Sequence, residues 1–175
     1  ETLDAAERPG LSFGTWIGGD RDGHPLVTAE VTASTLATLR TSAIRLVDEA
    51  LERLAGRLSL SALVQDPPTA LDERIAQLGS ELGEGARPAI ERNPEEPWRQ
   101  FVNLLRVRLS DAPGDAGSGT EDLLEDLERL MAWLDEVEAD RLARIDVAPV
   151  AGLVRTFGLH LAVLDVRQNS RFHDL

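Results

Sequence analysis

Between Leu36 and Leu58 the residues Leu36, Leu39, Ala43, Leu46, Val47, Ala50, Leu51, Leu54 and Leu58 recur at spacings of three and four. An α-helix returns such positions to one face, so the pattern predicts a single long helix with one apolar stripe. Thr28 is suited to cap its N-terminus, and Glu30 falls in the first turn, where a helix favours negative charge. A stripe of this length needs a partner surface, and the sequence downstream supplies more helices.

Pro67 and Pro68 break the chain, and a second helical segment carries Leu71, Ile75, Leu78 and Leu82. Gly83 to Pro94 reads as loop with a short helical turn. From Pro97 to Leu109, Trp98, Phe101, Val102, Leu105 and Leu109 share a face, with Pro97 in the first turn. Trp98 and Trp133 are expected in the core, and Arg99, Arg106 and Arg108 on a solvated face. The tract at about 110–120 has the small, polar composition of a flexible loop. Thr120, Glu121 and Asp122 make a helix start for Leu123, Leu127, Leu130, Met131 and Leu134. A last helix is expected from Val147 to Phe157, with Asp146 as N-cap and Gly158 as C-cap.

Two stretches break the helical rule. Leu159 to Val166 is a compact apolar run after a glycine stop, which reads as a buried strand. Leu11 to Ile17 is the second candidate strand, ended by Gly18-Gly19. The expected class is therefore mainly α, a helical bundle bracketed by two short strands. A lone strand pair is marginal in water, so the two either pair with each other or join strands from further sequence.

Composition narrows the function. The chain has 175 residues, 42% of them hydrophobic, enough for a core, and no apolar run long enough to span a membrane. All 18 basic residues are arginine, which removes lysine Schiff-base and general-base chemistry. The absence of cysteine removes thiolate nucleophiles and thiolate metal sites, and fits a cytoplasmic protein. A net charge of -13 disfavours nucleic acid as a partner. His24, His160 and His173 are too scattered to argue a metal site. With no initiator methionine and an acidic start, the chain is expected to be an internal piece of a longer protein, 1–175 forming one partial domain.

One stretch stands apart, F-G-T-W-I-G-G-D-R-D-G-H-P from Phe13 to Pro25. It is not a calcium loop, because the twelfth position that needs a bidentate Glu is Val31. It has neither the lysine of a Walker loop nor the spacing of a Rossmann fingerprint. Two readings stand side by side. In one, it is a tight strand-to-helix turn, with glycines at positive φ and aspartates capping amides and pairing with Arg21. In the other, Gly18 and Gly19 admit a ligand to the backbone, Arg21 offers a fork to an oxyanion, Asp20 and Asp22 hold that fork, and Trp16 walls the pocket.

The stretch resembles the signature W-M-G-G-D-R-D-G-N-P of phosphoenolpyruvate carboxylases. Leu164-Asp-Val-Arg-Gln-Asn-Ser-Arg-Phe-His173 resembles the same family's L-D-I-R-Q-E-S-x-R-H, and Pro97-Trp-Arg99 its Pro-Tyr-Arg. Ile17, His24, Asn169 and Phe172 depart from those patterns; none of the departures removes an arginine. The resemblance spans the whole chain and implies that the two strands belong to an incomplete β/α barrel. It implies carboxylation of phosphoenolpyruvate with bicarbonate to oxaloacetate and phosphate, an anaplerotic carbon fixation feeding the tricarboxylic acid cycle. Arg167 matches an arginine of the family's phosphoenolpyruvate site. Arg21 would make anion or network contacts, and Trp16, Gly18, Gly19, Asp20 and Asp22 would line or support the site. The family's catalytic His motif, metal ligands, essential lysine and Gly-Arg-rich loop are absent. The resemblance therefore implies that this chain alone is inactive, that Mg or Mn is held by the rest of its own polypeptide, and that the full-length enzyme is a homo-oligomer. The alternative is a non-catalytic helical interaction module that keeps the family scaffold.

Overall fold

The computed structural model describes residues 11–22, 24, 26–110 and 118–169. Gly23, Pro25, most of the loop expected at 110–120, and Arg171, Phe172 and His173 lie outside the described residues.

The long helix α1 (Ala29–Arg57) begins where the sequence puts it, with the Thr28 hydroxyl accepting from the Val31 amide. Its apolar stripe is buried only from Ala43 onward, through Val47, Ala50, Leu51, Leu54 and Ala55. Leu36 is instead about half exposed. Helix α2 (Thr69–Leu82) follows the two prolines and buries Leu71, Ile75 and Leu78. The next stretch is more ordered than its glycines suggest: a 3-10 turn at Gly83–Ala86 leads into α3 (Arg87–Glu91). Ala86 and Ala89 are buried there, and the Gln100 side-chain amide donates to the Ile90 and Asn93 carbonyls at 2.8 and 2.9 Å. Apolar anchoring and satisfied carbonyls offset the weak local propensity.

Helix α4 (Pro97–Ser110) runs through the centre. It packs on α1 and α2, with Trp98, Phe101, Val102, Leu104 and Leu105 fully buried. Helix α5 (Ser118–Glu136) brings Trp133 edge-on to Phe101, ring centroids 5.3 Å apart. Thr120 lies within this helix rather than capping it, and its hydroxyl accepts from the Leu159 amide at 3.2 Å. The last helical segment starts earlier than expected. The short α6 (Asp140–Leu142) and a wide π turn at Ala143–Val147 run directly into α7 (Ala148–Phe157). With helix already upstream of it, Asp146 has no free helix end to cap. It pairs with Arg57, in the last turn of α1, at 2.6 Å. Gly158 ends α7 as expected.

The strands are shorter than the apolar runs that announce them. β1 (Gly14–Thr15) and β2 (Val163–Leu164) form one parallel pair. The run Leu159–Val166 is not a buried strand, since Val163 and Val166 are each more than half exposed and only Leu159 enters the core. Among the described residues no helix is long and apolar enough to cross a membrane.

The three arginines assigned to a solvated face are engaged. Arg99 donates from Nε to the Ala55 carbonyl at 2.8 Å, and Arg106 grips Asp48 through two hydrogen bonds of 2.7 and 3.2 Å. Arg108 reaches Asp126, whose side chain is fully buried, at 2.7 Å. The same carboxylate accepts from Arg74 Nε and Nη2 at 3.0 and 2.9 Å and from Arg129 Nη1 at 3.3 Å. Arg108 meets it as an ion pair without hydrogen-bond alignment, its Nη2 having no hydrogen-bond partner among the described residues. One carboxylate therefore ties α2, α4 and α5 together. Its hydrogen bonds raise the pKa of Arg74 above the ordinary arginine value, against the opposing effect of burial. A buried charge is tolerable only with such company, and removing it strands its partners.

Asp126→Ala is therefore expected to destabilise the fold by about 3–5 kcal/mol, whereas Arg45→Ala, which breaks an exposed pair with Glu49, should cost no more than about 0.5 kcal/mol. Urea unfolding followed by circular dichroism measures both.

Candidate functional site

The two motifs that stand apart in the sequence come from opposite ends of the chain and meet in space. β1 and β2 pair in parallel with Gly14 opposite Val163 and Thr15 opposite Leu164, and an isolated parallel bridge then joins Asp20 to Arg167. The Val163 amide donates to the Phe13 carbonyl at 2.7 Å and the Asp165 amide to Thr15 at 2.8 Å. Beyond the strands, the Arg167 amide donates to the Gly19 carbonyl and the Arg21 amide to the Arg167 carbonyl, each at 2.9 Å. Phe13 also stacks on Phe157 at 5.2 Å, fastening β1 to the end of α7.

Between Thr15 and Asp20 the chain makes a tight turn in which the Trp16 carbonyl accepts from the amides of Gly19 and Asp20 at 2.9 and 3.1 Å. The turn needs its glycines for two separate reasons. Gly18 has φ 80°, and a Cβ there would lie 2.2 Å from Thr35 Oγ1. Gly19 has a close neighbour in the backbone itself: a Cβ would lie 2.3 Å from the Asp165 carbonyl oxygen. These residues let the two motifs touch.

The side chains are arranged around that contact. The Arg167 guanidinium lies over the Trp16 ring, 4.4 Å from its centroid. A cation–π contact at an exposed site is worth about 0.5–1 kcal/mol, and it leaves the edges of the guanidinium available for hydrogen bonds. Both residues are exposed, and among the described residues no carboxylate forms an ion pair with Arg167. Such an arginine, over an aromatic face, is suited to an oxyanion such as a carboxylate or phosphate.

Arg21 is held differently from the expectation. Among the described residues it makes no ion pair with Asp20 or Asp22; Asp20 Oδ1 accepts from the Asp22 amide at 3.3 Å instead. The Arg21 fork is anchored by Thr32, whose Oγ1 accepts from Nη2 at 3.0 Å. That hydroxyl lies 2.8 Å from the Gly18 carbonyl and 3.1 Å from the Thr28 carbonyl, either of which can accept its proton. Among the described residues, Arg21 Nε is buried without a hydrogen-bond partner. Glu30, in the same turn of α1, has its pKa lowered by the Thr28 side chain first, then by its own backbone amide and the charge of Arg21. Sequence reasoning missed Thr32 and Thr35. Their signal was a run of threonines four and three residues apart directly after the glycine-rich stretch, on the helix face that turns back toward it.

The groove bordered by β1, of about 280 Å³, is lined by Thr15, Ile17, Ser34, Thr35, Thr38 and Leu39 and contains none of the predicted site residues. His, Asp and Glu side chains do not converge in groups of three among the described residues.

A family model described as phosphoenolpyruvate carboxylase matches residues 2–175. The phosphoenolpyruvate carboxylase of Nocardia farcinica is 37% identical over 188 residues, covering 98% of this chain and 19% of that protein. That of Thermus thermophilus is 38% identical over 160 residues, covering 91% of this chain and 17% of that protein. The Methylorubrum extorquens enzyme of the same name is 32% identical over 171 residues, covering 93% and 18%. The chain thus spans less than a fifth of the length of the curated relatives it matches.

Two glycine substitutions separate close approach from simple chain freedom. Gly19→Ala should speed amide exchange across 163–169 about fivefold to a hundredfold, because about 1–3 kcal/mol of overpacking falls on the strand contact. Gly56→Ala, in the last turn of α1 with nothing within 4 Å of the new Cβ, should stabilise the fold by about 0.4–1 kcal/mol, chiefly by reducing the freedom of the unfolded chain. An unchanged exchange rate for Gly19→Ala would contradict the close approach.

Proposed function

The chain belongs to the phosphoenolpyruvate carboxylase family, and from that premise we propose that it is the part of a longer carboxylase that presents an arginine–tryptophan pair to phosphoenolpyruvate. The observation that carries this reading is the meeting of the two family motifs, with the Arg167 guanidinium 4.4 Å from the Trp16 ring centroid and no carboxylate pairing with it among the described residues.

In the reaction, an oxygen of bicarbonate attacks phosphorus, the bond from phosphorus to the enol oxygen breaks, and carboxyphosphate and the pyruvate enolate result. Carboxyphosphate then releases carbon dioxide and phosphate, and the enolate carbon attacks carbon dioxide to give oxaloacetate. Negative charge gathers on phosphate, carboxylate and enolate oxygens at each stage, and a fixed guanidinium facing those oxygens stabilises it without reorganising. Arg167 takes that part. Trp16 holds the guanidinium over its ring and gives the substrate methylene an apolar wall. Arg21, anchored on Thr32, adds positive potential and holds the turn, while Gly18, Gly19, Asp20 and Asp22 shape the backbone that brings Arg167 into place.

Mg or Mn, which this reading assigns to ligands elsewhere in the longer protein, supplies Lewis-acid stabilisation of oxyanions. β1 and β2 are two strands of a β/α barrel whose other strands the rest of the polypeptide provides, which accounts for the exposure of Trp16, Val163 and Val166. On this reading the chain alone is inactive, the complete enzyme is a cytoplasmic homo-oligomer, and its product replenishes the tricarboxylic acid cycle.

The test is oxaloacetate formation by the full-length protein, dependent on both phosphoenolpyruvate and bicarbonate, with Mg or Mn supplied. Arg167→Ala should lower the rate about a hundredfold or more. A well-folded parent that makes no oxaloacetate would leave the alternative, a helical interaction module on the family scaffold.

A further inference from the structure

We infer that Thr32 is a positioning residue for the site, the hydroxyl through which helix α1 sets both the direction of Arg21 and the shape of the Gly18 turn; its effect on catalysis rests on the carboxylase reading. The geometry is specific. Thr32 Oγ1 accepts from Arg21 Nη2 at 3.0 Å and lies 2.8 Å from the Gly18 carbonyl. A hydroxyl has one proton and can accept as well, so a single oxygen can take a bond from the arginine and pass one to the turn. The Thr28 carbonyl, at 3.1 Å, is the ordinary back-bonding partner of a helical threonine, and the Gly18 carbonyl competes with it at shorter range.

Both ends of that relay lead to Arg167. Gly18 precedes Gly19, whose carbonyl accepts from the Arg167 amide, and the Arg21 amide donates to the Arg167 carbonyl, each at 2.9 Å. A shift of the Gly18 turn or of the Arg21 backbone therefore displaces the residue that sits on Trp16. Neither aspartate of the glycine-rich stretch pairs with Arg21 to take over the task, and Arg21 Nε is buried without a partner, so the Thr32 contact is the hydrogen bond that fixes the fork among the described residues. Next to it, Thr35 fills the space that a side chain at position 18 would need. Thr32 touches no reacting atom on this scheme; it acts through Arg21 and the turn.

The experiment compares Thr32→Val, which keeps the shape and removes the hydroxyl, with Thr32→Ser, which keeps the hydroxyl, in the full-length protein. The first readout is steady-state kinetics. Thr32→Val is expected to lower kcat/KM for phosphoenolpyruvate about tenfold to a hundredfold, the cost of a misplacement on the order of 1 Å, with KM for bicarbonate unchanged and Thr32→Ser near the parent. The second readout is amide exchange resolved by peptide and independent of activity. Thr32→Val should speed exchange over 16–22 and 163–169 while α4 keeps its protection. If Thr32→Val matches the parent in both readouts, or if α4 loosens along with the site, the positioning role is overturned. If the parent makes no oxaloacetate but the exchange pattern appears, the carboxylase reading falls and the coupling from α1 to the motif contact stands.

Discussion

Strands that run parallel cannot be joined by a hairpin, and the chain between them has to travel back before the second can begin. In this protein the return path is the entire helical body, from Ala29 to Phe157, and the parallel pair closes it. Everything at the candidate site depends on that closure, because Trp16 and Arg167 have no other reason to be neighbours. The closure itself rests on few bonds: the short β1–β2 ladder, the backbone hydrogen bonds that extend it to Arg21 and Arg167, and a glycine at position 19 that lets one backbone lie against the other. A contact so slight holds because the helices at its ends are fixed from behind. Phe13 stacks on Phe157, and Thr32 and Thr35 meet the turn from α1.

How much of this the sequence disclosed follows from what each pattern physically encodes. Helical periodicity reports which side chains share a face, and so α1, α2, α4 and most of α5 and α7 were legible from their apolar spacing. It does not report how far along a helix that face is covered. Leu36 continues the stripe of α1 yet is half exposed, because the bundle reaches only as far as Ala43. The run from Leu159 to Val166 misled for a related reason, since apolar composition marks surface that some neighbour covers without naming the neighbour. Arg99, Arg106 and Arg108 were misread because a charged residue on a helix is ordinarily solvated, and only the fold shows Ala55, Asp48 and Asp126 waiting opposite them.

At the site, the residue types were readable and the connections between them were not. The glycine-rich stretch and the Arg167 segment each carry a motif, and their resemblance to one family was enough to predict that they work together. The partner that anchors Arg21 was assigned to the neighbouring aspartates, which sequence proximity favours. Instead, the backbone turn points the guanidinium toward α1, where Thr32 receives it. A neutral hydroxyl holds an arginine without cancelling its charge, whereas pairing with either aspartate would have offset much of its positive potential.

The uneven burial of α1 has a mechanical side. No residue of α1 before Ala43 is buried, so the segment from Thr32 to Ala43 projects from the bundle as a stiff arm. At a rise of about 1.5 Å per residue this arm is roughly 16 Å long, and a tilt of about 5° at its base would carry the Thr32 hydroxyl some ~1.4 Å, enough to break a hydrogen bond. The precision with which Arg21 is aimed is thus inherited from the rigidity of a helix root well away from the arginine itself. Packing around Ala43 and Val47 sets the tolerance of the site as surely as the residues that form it.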